Sequence, residues 1–259
     1  MADTRFVRPY QVLQQHRAEM DAAVRARRRR IGLVAALGLS ATLLAYWAMP
    51  PLAFPTAGIA ALVLFFSSIT GTSSVPSDQM TGAEGEYRVL QELRKLPDDH
   101  VVFNQVQVPD ARLPNGRREL DFVVVGPTAV HVIEVKNAGG LIYVRPDQRQ
   151  WPLAHKAGCG GRPGWNAIDN PIGQVRAQVD ALDRWLLLNG RTAPIRPLLC
   201  FARSEVALEG RDQAGLPILT TGEVVEFLRD GAGRARFAGG PAVIELLARN
   251  AHQPARSAA

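Results

Sequence analysis

Glu119-Leu120-Asp121-Phe122-Val123-Val124-Val125, a short turn, and then Val130-His131-Val132-Ile133-Glu134-Val135-Lys136-Asn137 decide how this chain is to be read. Both runs are β-branched and apolar enough for buried strands, yet each carries charge where a packed sheet ordinarily refuses it. Side chains alternate along a strand, so Glu134 and Lys136 share one face while Ile133 and Val135 point to the other. The turn Gly126-Pro127-Thr128-Ala129 is short enough to join the runs as an antiparallel hairpin, which brings Asp121 opposite the Glu134 region. Two carboxylates and one ammonium group then converge.

That set suits a hard divalent cation, Mg2+ or Mn2+, which takes carboxylates, waters and phosphate oxygens. Asp121 and Glu134 are the expected carboxylate ligands, with the Val135 carbonyl between the two functional side chains as a third. Lys136 at the edge would hold an attacking water or neutralise charge growing on a scissile phosphate. The competing reading is a plain Glu134–Lys136 ion pair on the solvated side of an edge strand. Lysine usage weighs against it, because Lys95, Lys136 and Lys156 are the only lysines among 30 basic residues. A surface cation drawn from this chain would be an arginine.

These residues resemble the PD-(D/E)xK nucleases and, within them, the nuclease-related domain called NERD. Asp121 and Glu134-Val135-Lys136 match the D…ExK core, and Asn137 extends it to the IEVKN form. Upstream, Gly82-Ala83-Glu84-Gly85-Glu86 resembles the family's opening G-x-x-G-E helix; downstream, Asn170-Pro171-Ile172-Gly173-Gln174 resembles its N-P-x-x-Q helix start. The resemblance covers about 82–190 and implies an α/β fold with a mixed sheet flanked by helices, acting on nucleic acid with DNA as the expected substrate. It further implies that Glu86 approaches the metal and that Gln174 faces the site. Glu86 also fits a first helical turn, where acids are favoured regardless of function, and Gln174 fits an ordinary polar position after Pro171. One departure is Gln178, which stands where some relatives place a tyrosine.

A second signal lies upstream. Residues 31–70 contain no charged side chain, which is enough for two membrane helices at about 20 residues each. The expected spans are 31–48 and 52–69, turning at Met49-Pro50-Pro51, with Tyr46 and Trp47 in the interfacial belt. A signal peptide would need a shorter apolar core and a cleavage site. Arg27-Arg28-Arg29-Arg30 precedes the first span, so the positive-inside rule puts the N-terminus, and after two crossings the large domain, on the cytoplasmic side of the inner membrane. Residues 1–30 hold eight arginines against three acids, so most of the formal net charge of +6 is juxtamembrane. It suits anionic lipid headgroups. The remainder is near neutral, and nucleic-acid contact would need a local patch, for which Arg112, Arg117, Arg118, His155, Lys156 and Arg162 are candidates.

The expected organisation is an amphipathic basic helix within 1–30, the transmembrane hairpin at 31–70, a small-residue linker at 71–80, the nuclease-like domain at 81–235, and a C-terminal helix and tail at 236–259. Within the domain a helix is expected over 81–96, with Val89, Leu90, Leu93 and Leu96 as its apolar stripe. Strands follow at 101–108, 119–125 and 129–136, a small hairpin at 141–144 and 151–153, and a glycine-rich loop at 158–164 over the site. A helix opens at Pro171, strands at 197–202 and 216–219 follow, Thr221 caps one helix and Pro241 opens the last. Cys159 and Cys200 form no paired motif and fit a reducing compartment. His131 alternates with valines and reads as a satisfied sheet histidine. Two further function classes compete with the nuclease: a catalytically inactive module of the same fold binding nucleic acid or protein at the membrane, and a scaffold whose hairpin associates through Gly38 and Ser40.

Overall fold

The fold is given by a computed structural model that describes residues 1–48, 59, 77–155, 164–230 and 235–251. The chain divides into two compact units, Met1–Pro9 together with Thr81–Ala259, and Tyr10–Met80.

Within the second of these, α1 (Gln11–Ala48) is one continuous helix. The basic helix expected within 1–30 runs on into the apolar stretch: no proline or capping residue separates the arginine run from it, so the helix propagates through both. Its Val24–Ala48 portion is long and apolar enough to cross a membrane. The expected second span at 52–69 and the turn before it lie outside the described residues, apart from Ile59. Of the linker expected at 71–80, residues 71–76 lie outside the described residues, and from Ser77 the chain is helical as α2 (Ser77–Leu93).

The larger unit holds two sheets. The first contains β1 (Val101–Pro109), β2 (Arg117–Val125), β3 (Val130–Lys136), β7 (Ile195–Phe201) and β9 (Ile218–Thr220), in the order β1-β2-β3-β7-β9. β1–β2 and β2–β3 are antiparallel, β3–β7 and β7–β9 parallel, so the sheet is mixed. The second has the order β6-β5-β4-β8, with β4 (Gly140–Tyr143), β5 (Gln150–His155), β6 (Gly164–Asp169) and β8 (Val206–Glu209). β6 and β8 have no counterpart among the expected elements. β6 is largely exposed, so no buried alternation marks it, and β8 is a four-residue strand held by parallel pairing to β4.

Helix α3 (Ile172–Leu188) crosses β7, β3, β1 and β2. Its Val175, Leu182 and Leu186 share a core with Val123, Val125, Val130, Val132, Leu199 and Phe201, and with Val243 and Leu247 of α5 (Gly240–Ala251). That face of β3 is also the face of Glu134. The alternate residues Phe122, Val124, Ile133 and Leu198 are fully buried as well, and on their side Phe227 of α4 (Thr221–Arg229) meets His131 edge-on at 6.3 Å between ring centroids. A sheet covered on both faces explains why its inner strands read as nearly continuous hydrophobic runs. The cap of α4 falls one residue before the expected Thr221: Thr220 and Glu223 form a reciprocal capping box.

Candidate active site

Pairing between β2 and β3 runs from Val125↔Val130 to Phe122↔Ile133 and stops there. Asp121 and Glu134 are the next residues along each strand, so they meet where the two strands part. Beyond that point the Val135 amide donates to Asp121 Oδ2 at 2.8 Å in place of a strand carbonyl. On the other side, the Ala202 amide donates to the Lys136 carbonyl. Peptide groups alternate in direction along a strand, which turns the Val135 carbonyl toward the parting.

Glu134 is 2% exposed. Its Oε1 accepts from Lys136 Nζ at 2.6 Å and its Oε2 accepts from Gln178 Nε2 at 2.6 Å. Lys136 Nζ also donates to Gln174 Oε1 at 3.0 Å, and Gln178 reaches the Glu119 carbonyl at 3.3 Å. The pair is therefore no solvated decoration of an edge strand: β3 is the central strand of its sheet and the acid is buried with a donor on each oxygen. Gln178, for which the sequence motifs alone suggest no role, joins Gln174 in this cluster. The signal was available, since residues four apart on a helix share a face.

Burial pushes the Asp121 carboxyl well above the usual carboxylate range, the negative charges of Glu134 and then Glu86 push it further, and the Val135 amide and Lys136 oppose them. Glu86 comes from α2 and accepts from Gln105 Nε2 at 3.4 Å. Gln105 was also missed. It stands on β1 opposite Asp121 of β2, in the gap between the Asn104↔Phe122 and Val106↔Leu120 pairs, and has φ of +49°. A left-handed residue other than glycine inside a strand is strained, by about 1–2 kcal/mol, and such strain gathers at functional sites.

The flanking motif residues build the frame. Gly85 lets α2 pass against Asn137, whose Cβ would lie 2.7 Å from a Cβ placed at position 85; Asn137 Nδ2 donates to the Thr81 carbonyl at 2.5 Å. Asn170 accepts from the Ile172 amide at 3.0 Å and donates to the Pro146 and Gln148 carbonyls, which fixes the start of α3 and hence Gln174 and Gln178.

The donor set fits a hard cation by its chemistry: oxygen atoms alone, an excess of negative charge around Asp121 from Glu134 and Glu86, and lone pairs left on each carboxylate after its hydrogen bonds. Among the described residues no group of three His, Cys, Asp or Glu side chains stands together to hold a metal ion; an ion bound here would have Asp121, Glu134 and the Val135 carbonyl as its protein oxygens. Most of a hexacoordinate shell would be left to water and substrate oxygens.

The basic candidates are scattered. Arg112 and Arg118 bond the buried Asp110 at 2.9 and 2.7 Å, with Arg184 at 3.8 Å, and Arg112 first, then Arg118, hold Asp110 well below its ordinary pKa. Arg117 adjoins them at the start of β2, whereas His155 ends β5 in the other sheet. Lys156 and Arg162, like Cys159 and most of the expected glycine-rich loop, lie outside the described residues. Cys200 is buried on β7, and that burial pushes its thiol up to about 12.

Residues 81–202 match the family model for the nuclease-related domain, NERD. The matched segment carries Glu86, Asp121, Glu134, Lys136 and Gln174 together with Gln105 and Gln178. The crystal structure of protein VC1899 from Vibrio cholerae is similar at 16% identity and a TM-score of 0.33, over 86% of this chain and 56% of that one. This chain thus spans little more than half of that protein. No curated protein matches. The α/β architecture with its mixed sheet fits a nuclease-like core.

Proposed function

We propose that this chain is a membrane-anchored, divalent-cation-dependent nuclease that hydrolyses nucleic-acid phosphodiesters, DNA first, on the cytoplasmic side of the inner membrane. The observation that carries this reading is the meeting of Asp121, Glu134 and Lys136 where β2 and β3 part, with Glu134 buried and Asp121 and Lys136 only partly covered, at the centre of a sheet that gains nothing from gathering three charges there. Asp121, Glu134 and the Val135 carbonyl would hold Mg2+ or Mn2+. Such an ion, when bound, lowers the pKa of a water and polarises a phosphoryl oxygen. Lys136, fixed between Glu134 and Gln174, orients the attacking water and offsets charge on the phosphate. Gln178 holds the second oxygen of Glu134 so that the carboxylate keeps one rotamer, and Glu86 adds negative charge beside Asp121 and favours cation binding.

The membrane part rests on α1. Its Val24–Ala48 portion is long enough to span, and the arginine run at 27–30 meets anionic headgroups at about 1 kcal/mol per residue near the surface, which favours the orientation with that end in the cytoplasm.

The test uses the full chain in detergent or nanodiscs, with DNA and RNA substrates and with cation binding measured directly by calorimetry. Cleavage is expected only with Mg2+ or Mn2+ and should cease on chelation. Asp121→Asn and Glu134→Gln should each lose both cation binding and turnover, whereas Lys136→Ala should keep binding and lose about a hundredfold or more in rate. A parent protein that binds no cation, with all three variants equally destabilised, would sink the proposal in favour of a non-catalytic binding module.

A further inference from the structure

We propose that residues 1–9 are a clasp belonging to the same folded body as residues 81–259, so that the intervening segment 10–80 leaves and re-enters one side of the bilayer and crosses it an even number of times. The crossing count rests on the membrane-anchor reading of α1; the clasp does not.

β1 is an edge strand of its sheet, with one side of its backbone free of any other strand in that sheet. Residue 3 covers that edge. The Asp3 amide donates to the His100 carbonyl at 3.0 Å and the Val102 amide donates to the Asp3 carbonyl at 3.0 Å, a parallel bridge to Val101. Five residues on, the chain is fastened again. Asn104 is buried, and its side-chain amide is spent on the backbone of residue 8: Oδ1 accepts from the Arg8 amide at 2.5 Å and Nδ2 donates to the Arg8 carbonyl at 3.0 Å. Between these points Phe6 stacks on the fully buried Phe103 at 5.0 Å between centroids. A solvated lead-in peptide would make none of these contacts, and its removal would strand both ends of a buried amide.

The consequence is topological. The chain leaves this body after Pro9 and rejoins it at Thr81, where the Asn137 side chain holds the Thr81 carbonyl. A single body with polar loops and strand edges has no place inside hydrocarbon, so Pro9 and Thr81 are on the same side. One crossing by α1 would leave them on opposite sides. The segment between them therefore crosses an even number of times, and its sequence includes the charge-free residues 31–70.

The test is two-sided labelling of the full chain with a membrane-impermeant maleimide, in intact cells and in inverted vesicles. Single cysteines go at the exposed positions Arg5→Cys, Leu188→Cys and Ala48→Cys, in a Cys159→Ser background with the buried Cys200 left in place. Positions 5 and 188 should react in the same preparation and position 48 in the other; positions 5 and 188 reacting from opposite sides overturns the proposal. Hydrogen exchange on the detergent-solubilised chain tests the clasp separately. The Asp3 and Val102 amides should be protected, and Asn104→Leu or Phe6→Ala should accelerate both at least tenfold while β3 amides stay protected. Unprotected Asp3 and Val102 amides in the parent refute the clasp. A chain that washes off membranes at alkaline pH with those amides still protected refutes the crossing and the anchor reading, and leaves the clasp standing.

Discussion

Glu134 is held by Lys136 on one carboxylate oxygen and by Gln178 on the other, so its orientation depends on two donors from different elements. An acid and a lysine two apart on an apolar run share a face, and this was legible from alternation alone. What was not legible is who holds the acid in place, because Gln178 reaches it across 44 positions of sequence and only the docking of α3 brings it there. Gln105 was hidden for a different reason: a left-handed φ leaves no mark on a residue type that ordinarily avoids it. Gln178→Leu keeps the volume and removes the donor, leaving Glu134 Oε2 buried without its partner. We expect a loss of about 1–3 kcal/mol in chemical denaturation. Where the residue only packs, the same substitution would be neutral or stabilising, so the sign of the change in urea midpoint decides. Gln178→Glu should cost more, since it sets a second carboxylate against the first.

At the scale of elements, the strands that form the site were readable because their composition is extreme, and helix limits were less so because a cap depends on which side chain closes it. Thr220, not Thr221, caps α4, because Glu223 returns to it and is itself held by Arg211 at 2.9 Å. The Arg211 guanidinium leads the causes that hold the Glu223 carboxyl down to about 2, against the opposing effect of burial. A carboxylate with a depressed folded-state pKa contributes stability that is present above its unfolded value of 4.5 and is lost as pH falls from there through about 2. Both partners are more than a third solvated, so screening keeps the effect to about 0.5–1 kcal/mol. Glu223→Gln should therefore lower stability by about that much at pH 7, with the gap closing by pH 2–3 and shrinking in high salt. A pH-independent gap would assign the effect to the cap alone. The glycines of α2 separate in the same way. A Cβ at Gly82 meets nothing within 4 Å, whereas one at Gly85 meets Asn137 at 2.7 Å. Gly82→Ala should stabilise by about 0.4–1 kcal/mol through helix propensity, and Gly85→Ala should destabilise by about 1–3 kcal/mol through overpacking, both read from thermal midpoints.

At the scale of the molecule, the charge-free run at 31–70 and the arginines before it could be read directly, since a bilayer responds to composition over some 20 residues. The role of residues 1–9 could not. They carry no periodicity, and their partners at 98–104 lie more than 90 positions away in sequence. Excising residues 10–80 and bridging Pro9 to Thr81 with a flexible linker should give a soluble protein that unfolds in one cooperative transition, because both sheets and the helices packed on them lie in Met1–Pro9 and Thr81–Ala259. Removing residues 1–9 as well exposes Phe103 and strands both ends of the Asn104 amide, a loss on the order of 3–5 kcal/mol from about 1.5–3 for the ring and about 1 for each hydrogen bond. Urea unfolding of the two proteins side by side measures it. Equal midpoints would mean that β1 tolerates a bare edge, and the N-terminal segment would then be a tether without a part in the fold.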